Sequence, residues 1–297
     1  MRRLLALIIL LLAGHAARAP AHAAAQAAAQ ATANATDVQF ITSDGVRLHL
    51  IEAGPPNGNV VLFVPGWAMP AWIFQAQIAA FSTRYHVIAM DPRGQGSSDI
   101  PAGGYDHLRR GQDIGELIRA LGPRPVLLVG WSLGVLDSLA YVQQYGDRAL
   151  AGLVLIDNSI GENPAPIPVR SPPRRGPPIP REEQMRRFVA GMFTVNPGPA
   201  YLATLTETAL RTPQYAASAL LNYPVPRTYW RDAVYSVQKP ILYVVRPRFA
   251  AQAANLAAND PVAETATFAT AGHALFVDEP DRFNTLLDGF IRRRVWP

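Results

Sequence analysis

The sequence predicts an α/β fold: one mostly parallel, eight-stranded sheet with helices on both faces. Three observations carry this. From Val38 onward, short apolar runs of β-type residues alternate with segments of helical periodicity. The chain has 297 residues, 49% of them hydrophobic, enough for one globular domain of about 250 residues with a sizeable core and an inserted subdomain. Near the middle, an apolar run passes through a glycine-flanked turn directly into a helical pattern, from Val126 to Tyr145.

The elements follow in order. Met1-Arg2-Arg3, then the ten apolar residues Leu4 to Ala13, then small residues through Ala25, form the pattern of a secretory signal peptide. Ala21 and Ala23 give an A-x-A site, so cleavage is expected after Ala23, leaving a secreted or periplasmic protein. Ten apolar residues fall short of the ~20 that span a bilayer, so no stable membrane anchor is expected. Residues 24–36 are rich in Ala and Gln with no large apolar side chain, and are expected to be flexible. Strands are expected at Val38–Thr42, Val46–Ile51, Val60–Val64, His86–Met90, Val126–Val129, Leu153–Asp157, Ile241–Val245 and Thr265–Phe268. Helices are expected near Trp72–Phe81, Leu108–Leu121, Leu133–Tyr145, Phe249–Ala258 and Glu279–Arg293. Between Gly161 and Gln238 the alternation stops. Pro164, Pro166, Pro168, Pro172, Pro173, Pro177, Pro178 and Pro180 cannot sit inside helices or central strands, so an extended linker is expected there. Arg181 to Val237 is helical in pattern with proline breaks, and reads as a lid inserted after the sixth strand. The core then comprises residues 37–160 and 239–297, and the linker with lid 161–238.

Chemistry concentrates at Gly130-Trp131-Ser132-Leu133-Gly134, a G-x-S-x-G sequence in strand, turn and helix context. A sharp turn of that kind holds Ser132 at the N-terminus of the following helix and needs the two glycines for room. A serine nucleophile needs a base near neutral pH, and histidine serves without a metal. Of six histidines, His15 and His22 fall in or beside the leader. His49, His86 and His107 precede the nucleophile, in or beside strands and helix starts, and read as structural. His273 lies between the last strand and the last helix, and is the expected base.

On these residues the chain resembles the α/β-hydrolase fold superfamily from Val38 to its end, apart from the lid. Val64-Pro65-Gly66-Trp67 looks like the family's oxyanion loop, Asp91-Pro92-Arg93-Gly94-Gln95-Gly96-Ser97-Ser98 like the turn after its fourth strand, and Ala271-Gly272-His273 like its histidine loop. The resemblance places His273 over the nucleophile and calls for a carboxylate to fix its tautomer. In most of the family that acid follows the seventh strand, but no Asp or Glu occurs between Asp232 and Asp260, and Arg246-Pro247-Arg248-Phe249 occupies the place. A minority of members take the acid from the end of the sixth strand, where Asp157 stands, with Glu162 in reserve. Oxyanion donors are expected from the backbone N–H of Leu133 and of Trp67, with Gly66 as an alternative; each such donor is worth roughly 3 to 4 kcal/mol in a transition state. Asp91 and Arg93 are expected to brace their turn. Trp131, Met192 and Phe193, with Tyr201 and Tyr223 of the lid, are candidates for lining an apolar substrate pocket.

The formal charge is +5, yet without the leader's Arg2, Arg3 and Arg18 the chain has 24 basic against 22 acidic residues, so nucleic acid is not an expected partner. With zero cysteines there is no disulfide, thiol nucleophile or Cys-ligated metal. No ligand-spaced cluster or phosphate loop implies a metal or cofactor. The expected activity is an exported serine hydrolase acting on a small or medium carboxylic ester. Ser132 excludes the dehalogenase and epoxide-hydrolase chemistries, which need an Asp nucleophile. Lactones, peracids and carbon-carbon substrates share the same triad, and the oligomeric state is left open. A ligand-binding protein without a working acid is a competing reading, supported by the missing acid after the seventh strand. Attachment to a membrane or polyanion through Arg170, Arg174, Arg175 and Arg181 is a third and weaker one.

Overall fold

The computed structural model describes residues 35–166 and 178–297. The expected signal peptide, residues 24–34 of the flexible segment, and residues 167–177 of the proline-rich linker, with Arg170, Arg174 and Arg175, lie outside the described residues. Eight strands form one sheet: β1 (Thr36–Ile41), β2 (Arg47–Ala53), β3 (Val60–Val64), β4 (His86–Met90), β5 (Val126–Trp131), β6 (Leu150–Ile156), β7 (Ile241–Val245) and β8 (Ala263–Thr267). Their spatial order is β1-β2-β4-β3-β5-β6-β7-β8. β1 with β2 and β2 with β4 pair antiparallel, and every other pairing is parallel. Thr36, expected in the flexible segment, is already strand and pairs with Glu52.

The helices are α1 (Gln75–Phe81), α2 (His107–Ala120), α3 (Leu133–Tyr145), α4 (Arg181–Ala190), α5 (Pro199–Leu210), α6 (Gln214–Ala219), α7 (Arg227–Ser236), α8 (Ala250–Asn259), α9 (Leu275–Asp278) and α10 (Pro280–Phe290). The expected helix from Glu279 to Arg293 is shorter: Pro280 opens α10, and the chain passes into a π-helical turn over Ile291–Val295. Because successive strand residues face opposite ways, the buried strands feed two cores. Val60, Leu62, Val64, Leu128, Leu153 and Leu155 join α2, α3, α7 and α8 on one face. Val61, Phe63, Leu127, Val129, Val154 and Val244 join α1, α9 and α10 on the other. The four helices described between β6 and β7 divide between them. Ala216, Leu220, Trp230 and Val234 belong to the first core, and Met185, Val189, Leu205 and Ala209 to the second. Among the described residues, no helix is long and apolar enough to cross a membrane.

Candidate active site

Parallel strands that end at the same edge bring their following turns together. Ser132 follows β5 directly, with φ 54° and ψ −118°, a left-handed conformation that a non-glycine residue adopts only under local constraint. The constraint is visible. Its N–H donates to Ile156 O at 2.9 Å, and Asn158 Nδ2 donates to its carbonyl at 2.8 Å. The two glycines are required for space: a Cβ on Gly130 would stand 2.4 Å from Gly134 O, and one on Gly134 2.3 Å from Val64 O.

Ser132, His273 and Asp157 are hydrogen-bonded in series. His273 Nε2 lies 2.8 Å from Ser132 Oγ, and His273 Nδ1 lies 2.7 Å from Asp157 Oδ2. Asp157, expected as the last residue of its strand, instead stands one past the end of β6 with φ 49°. Its carboxyl is buried. Burial raises its pKa, but the His273 hydrogen bond, the charges of His273 and Arg246 and the Arg246 N–H together hold it below the ordinary carboxylate value. Asp157 is therefore ionised wherever an imidazole titrates. Glu162 is spoken for elsewhere: it accepts from Tyr235 Oη at 2.5 Å, Asn163 N at 2.6 Å and Asn255 Nδ2 at 2.8 Å.

The loop after β3 passes close to Ser132, since a Cβ on Gly66 would meet Ser132 Cβ at 2.9 Å. Leu133, the first residue of α3, has an N–H with no partner inside its helix. Gln95, which sequence reasoning did not single out, grips the loop on both sides of Trp67. Its Oε1 accepts from Ala68 N at 2.5 Å, and its Nε2 donates to Gly66 O at 3.2 Å. Asp91 accepts from Ala71 N at 2.5 Å and Ser97 N at 2.7 Å, while Arg93 pairs with Asp113 at 2.6 Å and Asp44 at 3.0 Å. His49 and His86 are tied to Asp91 and Glu52, and His107 packs edge-on against Tyr229 and Trp230.

The pocket candidates fall at both buried and partly buried positions. Trp131 is 1% exposed, so it lies in the core below the site and not on a pocket wall. The alternation that sends Leu127 and Val129 to the second core sends Trp131 there too. It packs edge-on against Phe74 and Phe276, and its Nε1 donates to His273 O at 2.9 Å. Met192 is also buried, and its carbonyl accepts from Ala274 N at 3.1 Å. Phe193 is partly buried and meets Tyr201 edge-on, and Tyr223 does the same with Trp230. Trp67 is half-buried, donates from Nε1 to Ala217 O at 2.7 Å and packs edge-on against Phe188. A cavity of 620 Å³ between α4 and α5, lined by Glu182, Arg186, Leu202 and Leu210 among others, shares none of these residues.

Two further residues brace the site and were missed from the sequence. Asp278 Oδ2 accepts from Gly272 N at 2.6 Å, Thr194 N at 2.9 Å and Thr194 Oγ1 at 2.8 Å, joining the histidine loop to the segment after α4. Arg246, at the end of β7, donates from its backbone N to Asp157 Oδ1 at 2.9 Å and from Nε to Oδ2 at 2.5 Å. The absence of an acid after β7 was legible; that the arginine there grasps the acid of β6 was not.

Comparison with known proteins gives a consistent result. Residues 61–286 match the profile of the Alpha/beta hydrolase family. The chain is 35% identical to a non-heme chloroperoxidase from Streptomyces lividans over 39% of this chain and 42% of the relative. It is 35% identical to a 2-(acetamidomethylene)succinate hydrolase from Mesorhizobium japonicum over 38% of this chain and 39% of the relative. The match thus spans about two fifths of these curated relatives. Among solved structures, a Burkholderia cenocepacia protein provisionally described as an aryl esterase superposes with a TM-score of 0.75 and 26% identity, covering 86% of this chain and 98% of that one. The esterase RhEst1 from a Rhodococcus species shares the fold, with a TM-score of 0.72 at 22% identity over 87% of this chain and 99% of its own.

Proposed function

Because the chain belongs to the Alpha/beta hydrolase family, we propose that it is an exported serine hydrolase that cleaves small or medium carboxylic esters through an acyl-enzyme. The observation that carries the reading is the unbroken hydrogen-bonded series from Ser132 Oγ through His273 to the buried Asp157. His273 Nε2 takes the Ser132 proton as Oγ attacks the ester carbonyl carbon. The N–H groups of Leu133 and Trp67 receive the oxyanion. His273 then returns the proton to the departing alkoxide, and a water, activated by the same nitrogen, releases the acid and regenerates Ser132. Asp157 keeps the Nδ1 proton facing itself and supports the imidazolium. The likeness to the Burkholderia cenocepacia protein, described provisionally as an aryl esterase, supports an ester as the substrate. The leader's basic residues and ten-residue apolar run support export.

The test is hydrolysis of p-nitrophenyl acetate and p-nitrophenyl octanoate by the protein from Ala24, beside its Ser132→Ala variant. Turnover of one or both esters is expected, with kcat lowered by about 10⁴-fold or more in the variant. A folded wild type that turns over neither ester, or a variant as active as wild type, would overturn the reading.

A further inference from the structure

We propose that Arg246 is a positioning residue of this site: it holds Asp157 in the rotamer that faces His273 and takes up part of the carboxylate's negative charge. The proposal rests on the serine-hydrolase reading above. Its starting point is that Asp157 serves two partners. Oδ1 is taken by the Arg246 backbone N–H, and Oδ2 is shared between His273 Nδ1 at 2.7 Å and Arg246 Nε at 2.5 Å. The Asp157 side chain is 0% exposed, so these protein donors define its orientation. With Nδ1–H donated to Asp157, the approach of Arg246 Nη2 to Nδ1 at 3.5 Å is a contact between charge and ring, not a hydrogen bond.

A carboxylate paired with histidine alone gives its full negative charge to the imidazolium. Here the guanidinium neutralises part of that charge and stands beside the ring. Among the described residues, the other charged groups around the site are turned away. Asp278 of α9 faces Gly272 N and Thr194. Glu279 is held by Thr270 and Arg282. Arg248 stacks over the Phe249 ring. The segment Met192–Val195 carries no charge, and the elbow contributes only Ser132. Among the described residues, Asp157 and Arg246 are thus the charged pair beside His273.

The experiment compares wild type with Arg246→Gln, which removes the charge, and Arg246→Lys, which keeps it. The His273 ring is titrated by NMR, with the signal assigned through His273→Asn, and kcat/KM for p-nitrophenyl acetate is followed against pH. In Arg246→Gln the ring titration and the acidic limb of the profile should both move up by about half to one pH unit, whereas Arg246→Lys should stay near wild type. A purely structural role would lower activity at every pH and leave the limb in place. Superimposable titrations of wild type and Arg246→Gln, an equal shift in Arg246→Lys, or failure of both variants to fold would each overturn the proposal. The ring titration needs no turnover, so a failed ester assay would count against the hydrolase reading and not against the role of Arg246.

Discussion

At Asp157 the chain leaves β6 in the left-handed region, φ 49°, and that single turn brings a carboxylate from one strand under a histidine 116 residues away. If this is the acid of the site, Asp157→Asn will lower kcat by about 10⁴-fold, whereas Glu162→Gln will leave it unchanged, because Glu162 bonds Tyr235, Asn163 and Asn255 instead. Equal losses in the two variants would refute the assignment. The same side chain has a signature in stability. Its folded pKa lies below the unfolded value of about 3.9, so its contribution is present above that pH and is lost as pH falls through the folded value. The melting temperatures of wild type and Asp157→Asn should therefore converge as the solution is made more acid than about pH 4. Gln95 gives a second test. It clamps the peptides on either side of Trp67, so Gln95→Ala should lower kcat by about 10- to 100-fold, with KM for a small ester little changed. A change confined to KM would show that the loop serves binding and not the oxyanion. Ser132 was singled out by its local strand, turn and helix pattern, whereas His273 and Asp157 were reached through the resemblance of their loops to the family's. Gln95, Asp278 and Arg246 were not legible: the bond from Arg246 to Asp157 crosses 89 residues, and no local periodicity encodes such a distance.

The histidine loop shows how a short element acquires rigidity from its neighbours. α9 has four residues, too few to be stable alone. Leu275 and Phe276 anchor it: Phe276 is fully buried, stacks on Phe74 with ring centroids 4.7 Å apart and meets Trp131 edge-on at 5.1 Å. Phe276→Ala should cost about 3–5 kcal/mol in a urea titration, and a loss below 1 kcal/mol would mean the cluster does not hold the loop. Strands such as β3 and β5 could be read from sequence because their apolar runs are short and bounded by turn residues. Trp131 was misjudged because its nearness in sequence to Ser132 outweighed the strand alternation that buries it. The end of α10 was overextended because the helical pattern of residues 279–293 does not reveal Pro280 as the start or the π turn as the finish.

Across the whole molecule, the parallel sheet aligns the turns after β3, β5, β6 and β7 on one edge, and the inserted helices contribute to the cores on both faces behind that edge. Trp67 bonded to Ala217, and Thr194 bonded to Asp278, tie the insertion to the two loops beside Ser132. The overall architecture was legible since it follows from alternation alone, while these cross-links depend on side chains that meet only after folding. The proposed export is tested on the full chain. Expression with residues 1–23 in a bacterium with two membranes should yield a periplasmic protein that begins at Ala24; a full-length chain retained in the cytoplasm would argue against the leader. The proposal that His273 activates Ser132 as a nucleophile is tested by treating the folded protein with a fluorophosphonate and locating the adduct by peptide mass spectrometry. One adduct per chain is expected, on Ser132, lost in Ser132→Ala and strongly slowed in His273→Asn. An unlabelled wild type, or an adduct on any other residue, would contradict it.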